Sequence, residues 1–201
     1  SGAKVTGVSV KLATPLTGPK GAKIPAKNVV LYREEYYHVN VASNSEGASG
    51  LWPDPLVPDV DTYVNEKRKA FPFTVPAGSS RVVWVDVLVP KTAAPGIYKG
   101  ALQVDAGGAK QGTVQVTLKV GNFTLPSTAT LASAFTMDYA IHCYAHTGQE
   151  SCSSSWNENA ASVLRERYIR AGLEHRFTIN DPFFQPPHVS TASEKHGLPL
   201  V

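Results

Sequence analysis

The chain has 201 residues, 42% of them hydrophobic and 17% charged, with a formal net charge of +3 and two cysteines. That length holds one large domain, or one domain and part of another. No stretch concentrates Lys and Arg, so a phosphate-tracking nucleic-acid footprint is excluded, and no apolar run approaches the roughly 20 residues of a membrane span. The first four residues show neither the n-region nor the h-region of a secretory leader. Two origins fit that start, a cytosolic protein or a mature or truncated form.

Residues 4–12 alternate imperfectly and predict an opening strand, followed by turn chemistry over 14–21. Residues 29–33 and 36–41 predict two further strands, and the small polar residues 43–50 a loop. In LWPDPLVPD (51–59), Pro53, Pro55 and Pro58 argue against a ladder and for an ordered, extended connection. Trp52 within it is a candidate sugar-stacking platform, or simply a plug over the edge of the core.

The first half is organised around residues 71–105. RVVWVDVLV (81–89) is apolar on both faces except for Asp86, which predicts a central strand covered on both sides. Pro90 closes it, Pro95 and Gly96 turn the chain, and 97–104 returns as a strand. After a break at 106–109, residues 112–120 alternate cleanly as a third. Three such strands predict a meander, which needs a second layer to bury its apolar face. The expected fold is an antiparallel, immunoglobulin-like β-sandwich over residues 1–126.

Residues 127–130 read as a linker, and beyond them the texture changes. Residues 131–137 are a short apolar run. Ser155 and Glu158 fit a capping box, and Ala160, Val163, Leu164, Tyr168 and Ala171 recur at helical spacing up to Gly172, a natural stop. Residues 176–180 resume as a strand. Strand, loop, helix, strand is the βαβ unit of a parallel sheet. Two parallel strands and one helix cannot bury both faces, so 131–201 is expected to open an α/β domain completed by further polypeptide, in cis or as a separate chain.

Cys143 and Cys152 flank a polar segment that predicts a loop. A disulfide between them would contribute about 2–3 kcal/mol through loop entropy and would favour an extracellular or periplasmic location. Two free thiols or a metal site with His142 and His146 are the alternatives, although the spacings match no paired ligand motif. No metal and no cofactor is expected. Asn122 opens a glycosylation sequon, informative only in a secreted eukaryotic protein. The chain lacks a Gly-x-Ser-x-Gly elbow and a glycine-rich phosphate loop opening a helix.

Residues 52–58 (WPDPLVP), 71–76 (FPFTVP), 82–86 (VVWVD), 94–100 (APGIYKG) and 123–126 (FTLP) stand in an ordered series. That series resembles the N-terminal β-sandwich of bacterial proteins like those of glycoside hydrolase family 123, over roughly residues 5–180. The resemblance implies a (β/α)8 barrel after the sandwich, and hydrolysis of N-acetylgalactosaminides assisted by the substrate's own acetamido group. It also implies an adjacent Asp-Glu pair on a later barrel strand. This sequence has no Asp-Glu dipeptide, and Glu34-Glu35 lies among the sandwich strands, so catalytic residues are not assigned. In barrels the active site lies at the C-terminal ends of strands. By that rule Asp138, Tyr139 and His142, with Asn180 and Asp181, are the candidate sugar-facing residues. His175 and Arg176, at the opposite end, read as structural.

The expectation is a non-catalytic N-terminal portion of a glycoside hydrolase-like protein acting on glycans. A non-enzymatic cell-surface sandwich that binds glycans or packs in an assembly is the rival.

Overall fold

The structure, a computed structural model, describes residues 2–126, 130–131, 133–148 and 158–180. The chain is mainly β and divides into two compact units, Ser1–Thr124 and Leu125–Val201.

In the first unit the strands are β1 (Val5–Thr17), β2 (Val29–Val39), β3 (Gly50–Pro58), β4 (Val60–Asp61), β5 (Glu66–Lys67), β6 (Phe73–Val75), β7 (Val83–Val87), β8 (Gly96–Ala106) and β9 (Ala109–Val120). They form a four-stranded sheet ordered β6-β1-β8-β9, a three-stranded sheet ordered β3-β2-β7 and a small β4-β5 hairpin. Every pairing among them is antiparallel.

The core draws on both large sheets. Leu16 and Tyr98 from the first are buried with Ile24, and Val29 and Val87 from the second pack against them. Tyr98 is wholly buried, and its hydroxyl donates to the Ala94 carbonyl at 3.0 Å, so its polar end is satisfied inside an apolar cluster. A Cβ on Gly18 would lie 2.5 Å from the Tyr98 ring, so only glycine lets the backbone cover it.

The β8–β9 hairpin follows directly from its turn. Ala106 pairs with Ala109, and Gly107 and Gly108 between them have φ of 57° and 80°. Two consecutive left-handed residues make the tight turn whose twist matches the strands.

Elsewhere the first unit departs from expectation. β7 is not a central strand in a meander. It pairs only with β2, from Val29 opposite Val87 to Arg33 opposite Val83, and is the edge of the three-stranded sheet. The chain then crosses to the other sheet before β8. Trp84 and Asp86 are exposed while Val83, Val85 and Val87 are half-buried, so apolar residues on both faces did not mean cover on both faces. The two strands expected over 29–41 are one, β2. The proline-rich stretch also forms a ladder, with Pro58 opposite Tyr32 and Pro53 opposite Tyr36. It can do so because β3 is an edge, where a missing N–H forfeits no bond on the open side.

The β4–β5 hairpin is held by charge. Arg68 reaches Asp61 through Nε (3.3 Å) and Nη2 (2.9 Å) and Glu66 through Nη1 (2.9 Å). Burial pushes the Asp61 carboxyl up, but hydrogen bonds from Arg68 and the Tyr63 N–H outweigh it and hold the group below the ordinary carboxylate range.

The second unit contains β10 (Phe135–Thr136), α1 (Tyr139–Thr147), α2 (Glu158–Glu174) and β11 (Ile179–Asn180). β10 and β11 pair in parallel, Phe135 with Ile179 and Thr136 with Asn180. Met137, Leu164 and Ile169 are its buried hydrophobics among the described residues. Tyr139 and His142 were expected in a loop after the strand, but that stretch is helical. α1 closes at Gly148, whose N–H donates to the Tyr144 carbonyl at 2.7 Å with φ at 71°.

Gly172 is not the stop of α2. The Phe177 N–H bonds the Gly172 carbonyl (2.8 Å) and the Arg176 N–H the Leu173 carbonyl (2.9 Å), with Arg176 at φ 61°. This is the Schellman closure, made here by an arginine in the left-handed region. Gly172 instead sits under Ile179, where a Cβ would come within 2.6 Å of that side chain.

Candidate functional site

The parallel pair fixes the first group of candidates. The Phe135 N–H donates to the Thr178 carbonyl (2.9 Å) and the Met137 N–H to the Asn180 carbonyl (2.8 Å), so both strands end side by side. Asn180 is 8% exposed, and its amide Nδ2 donates to Thr136 Oγ1, its cross-strand neighbour, at 3.3 Å. Asp138 follows one residue after Met137 and leads into α1. Its carbonyl accepts the His142 N–H at 3.3 Å and lies 2.6 Å from His142 Nδ1. A carbonyl cannot donate, so Nδ1 carries a proton there; in the neutral ring Nε2 is then an acceptor.

Sequence reasoning did not single out Tyr168 as a site residue. The His142 ring meets it edge-on at 4.1 Å, and its hydroxyl lies 2.8 Å from His146 Nε2. Burial pushes the Tyr168 hydroxyl above the usual phenol range. The signal was present, since Tyr168 belonged to the predicted helical stripe, but its partners became visible only once α1 was helical. His142, Tyr168 and His146 thus form one run of contacts that begins at the Asp138 carbonyl, and Asn180 adds a buried carboxamide at the end of β11. Such groups bind and orient hydroxyls and amides.

The side chain of Tyr139, and Asp181 altogether, lie outside the described residues. So does the expected disulfide, since Cys152 and the Cys143 side chain are not described. Among the described residues no group of three or more His, Cys, Asp or Glu side chains is placed to hold a metal ion, and no helix is long and apolar enough to cross a membrane.

Trp52 belongs to the first unit. It stands on β3 opposite Tyr37, its indole Nε1 donating to the Ala48 carbonyl at 2.8 Å. It is 46% exposed, and its cross-strand neighbour Tyr37 is 65% exposed, so Trp52 is a surface ring rather than a buried plug.

The first unit is thus mainly β and antiparallel, and the second pairs two short parallel strands with helices between them. Comparison with known proteins makes this specific. Residues 1–106 match the family described as Glycoside hydrolase 123 N-terminal domain, and the chain belongs to that family. Among solved structures it is similar to a family 123 glycoside hydrolase from Clostridium perfringens, studied for glycolipid glycan hydrolysis, at 15% identity and a TM-score of 0.67. The likeness covers 89% of this chain and 29% of that one, so the chain spans under a third of that enzyme's length. No curated protein matches it.

Proposed function

We propose that this chain is the N-terminal, non-catalytic portion of a glycoside hydrolase acting on glycans, with N-acetylhexosaminides as the substrate class. In this reading residues 1–126 are an immunoglobulin-like accessory sandwich. Residues 131–201 open a (β/α)8 barrel whose remainder comes in cis or from another chain. The observation that carries it is the β10/β11 pair, which follows a family 123 N-terminal domain and presents Asp138 and Asn180 where its strands end. In a barrel that end faces substrate. Asp138, Tyr139, His142, Asn180 and Asp181 would then line the sugar-facing rim. Their role is to hold hydroxyl and acetamido groups while carboxylates elsewhere perform the bond cleavage.

The experiment compares the chain with its longer reading frame on aryl N-acetylhexosaminides. The chain alone is expected at background. In the longer protein His142→Ala is expected to lower kcat/KM by about tenfold or more through lost positioning. Turnover by the chain alone would refute the non-catalytic reading, and an inert longer protein would refute the hydrolase reading. An extracellular or periplasmic location with Cys143 bonded to Cys152 belongs to the same proposal. Alkylation without reductant, followed by mass spectrometry, should then leave both cysteines unlabelled.

One observation favours a second reading, a non-enzymatic glycan-binding module. The exposed Trp52 ring is a ready stacking surface. Glycan binding that is lost on Trp52→Ala, with an inert longer protein, would select it.

A further inference from the structure

The three-stranded sheet has an inner and an outer face. Val29 and Val87 point inward to the core around Tyr98, so the alternate residues of β2 and β7 point outward. The register sets them in rows: Asp86 beside Val30, then Trp84 beside Tyr32 with Pro58 beyond, then Glu34 beside Leu56. Successive rows are about 6.8 Å apart along the strands.

Trp84 is the centre of this face. It is 48% exposed, and its Nε1 donates to Asp86 Oδ1 at 2.7 Å, two residues along the same face. That bond draws the indole along the strand and satisfies its N–H, leaving the apolar ring as the accessible part. Tyr32, half-buried beside it, has its hydroxyl pushed above the phenol range by burial and by the Asp86 carboxylate. Toward the other end the Arg81 guanidinium lies 4.6 Å from the centre of the Tyr36 ring. Leu56 and Val82 are exposed between them.

An apolar partner laid on this face would strip water from Asp86, Glu34 and Arg81 without replacing their hydrogen bonds. A sugar ring carries both kinds of surface. Its C–H face suits the indole, while its hydroxyls can donate to carboxylates and accept from a guanidinium. We propose that the outer face of the three-stranded sheet, centred on Trp84, is a carbohydrate-binding surface. It takes a neutral oligosaccharide with one pyranose stacked on the indole, the hydroxyls of that ring bonded to Asp86 and those of the adjoining rings to Glu34 and Arg81. The choice of ligand class rests on the glycoside hydrolase reading, whereas the surface is distinct from the β10/β11 rim and from Trp52 and Tyr37.

The test uses the 201-residue chain carrying Trp52→Ala, so that the other candidate stacking ring is removed, on a printed array of neutral oligosaccharides ending in galactose, N-acetylgalactosamine or N-acetylglucosamine. Binding is expected to persist, and Trp84→Ala should weaken it by about tenfold or more, as expected for losing an aromatic stacking surface. Trp84→Phe should recover much of it, which a merely misfolded variant would not. Asp86→Ala should weaken it less. Binding that disappears with Trp52→Ala alone, or that ignores Trp84→Ala, overturns the proposal. So does a Trp84 already shielded from acrylamide quenching in the sugar-free chain, which would mean that protein covers the face. An inert longer protein would sink the hydrolase reading while leaving a Trp84-dependent array signal intact.

Discussion

The two units are assembled by different kinds of contact. In the first, strands distant in sequence are sewn together, Ser9 opposite Asp105 and Val29 opposite Val87, and they close on a core where Tyr98, Leu16 and Ile24 are almost wholly buried. The second depends on helices formed from local sequence and a two-residue parallel pairing of Phe135-Thr136 with Ile179-Asn180. Its Phe135, Ile141, Tyr144 and Phe177 stay exposed, although Phe135 and Phe177 stack at 4.3 Å. Non-local pairing costs loop-closure entropy, which a large buried core repays and a short parallel pair cannot. The first unit therefore rests on long-range strand pairing around a buried core, while the second rests on local helices and one short pairing.

The sharpest way to break this contrast is at its strongest point. Tyr98→Ala should remove about 3–5 kcal/mol, the cost of emptying a buried aromatic site. Urea titration with hydrogen-exchange readout should show the loss in β1, β8 and β9. Equal loss of protection in α2 would mean that the units do not melt separately.

Gly172→Val tests the second unit alone. It should cost about 1–3 kcal/mol by driving a side chain into Ile179. The same readout should show α2 and β11 loosened and β8–β9 unchanged. Tyr168→Phe is smaller: losing the hydroxyl bonded to His146 should cost about 0.5–1.5 kcal/mol within the helix pair.

The smallest effect is electrostatic and confined to the first unit. Asp61 has its folded pKa below the unfolded value. Its contribution is therefore fully present above the unfolded carboxylate range, about pH 4, and is lost as pH falls through the folded value. Arg68→Met should remove at most about 1 kcal/mol near neutrality and flatten the acid limb of a stability-against-pH curve. An unchanged limb would show that the pair is merely ornamental.

What could be read beforehand tracks how local the determining physics is. The β8–β9 hairpin was legible because Gly107 and Gly108 specify their own turn, and α2 because a stripe through Leu164 and Tyr168 repeats at helical spacing. The parallel pairing of β10 with β11 followed from reading a strand, loop, helix and strand in order, although part of that loop is α1. The partner of β7 was not legible: Trp84 among valines looks like core, and nothing in residues 81–89 records which sheet continues beyond Pro90. β3 was missed because three prolines rule out a central ladder but not an edge. At the candidate site, Asp138 and Asn180 were picked from their places at strand ends, and the structure puts Asp138 just beyond β10 and Asn180 as the last residue of β11. Tyr168 was not, since its contacts with His142 and His146 depend on α1, whose histidines, cysteine and threonine are weak helix formers.

The prolines of β3 have one more effect. An open strand at the border of a sheet is a template on which another molecule can add a strand of its own, the first step toward aggregation. Pro53, Pro55 and Pro58 withhold three donors along nine residues of that border, so foreign strands find little to grip there. The opposite border, β7, has no proline within Val83–Val87 and relies instead on the exposed charge of Asp86.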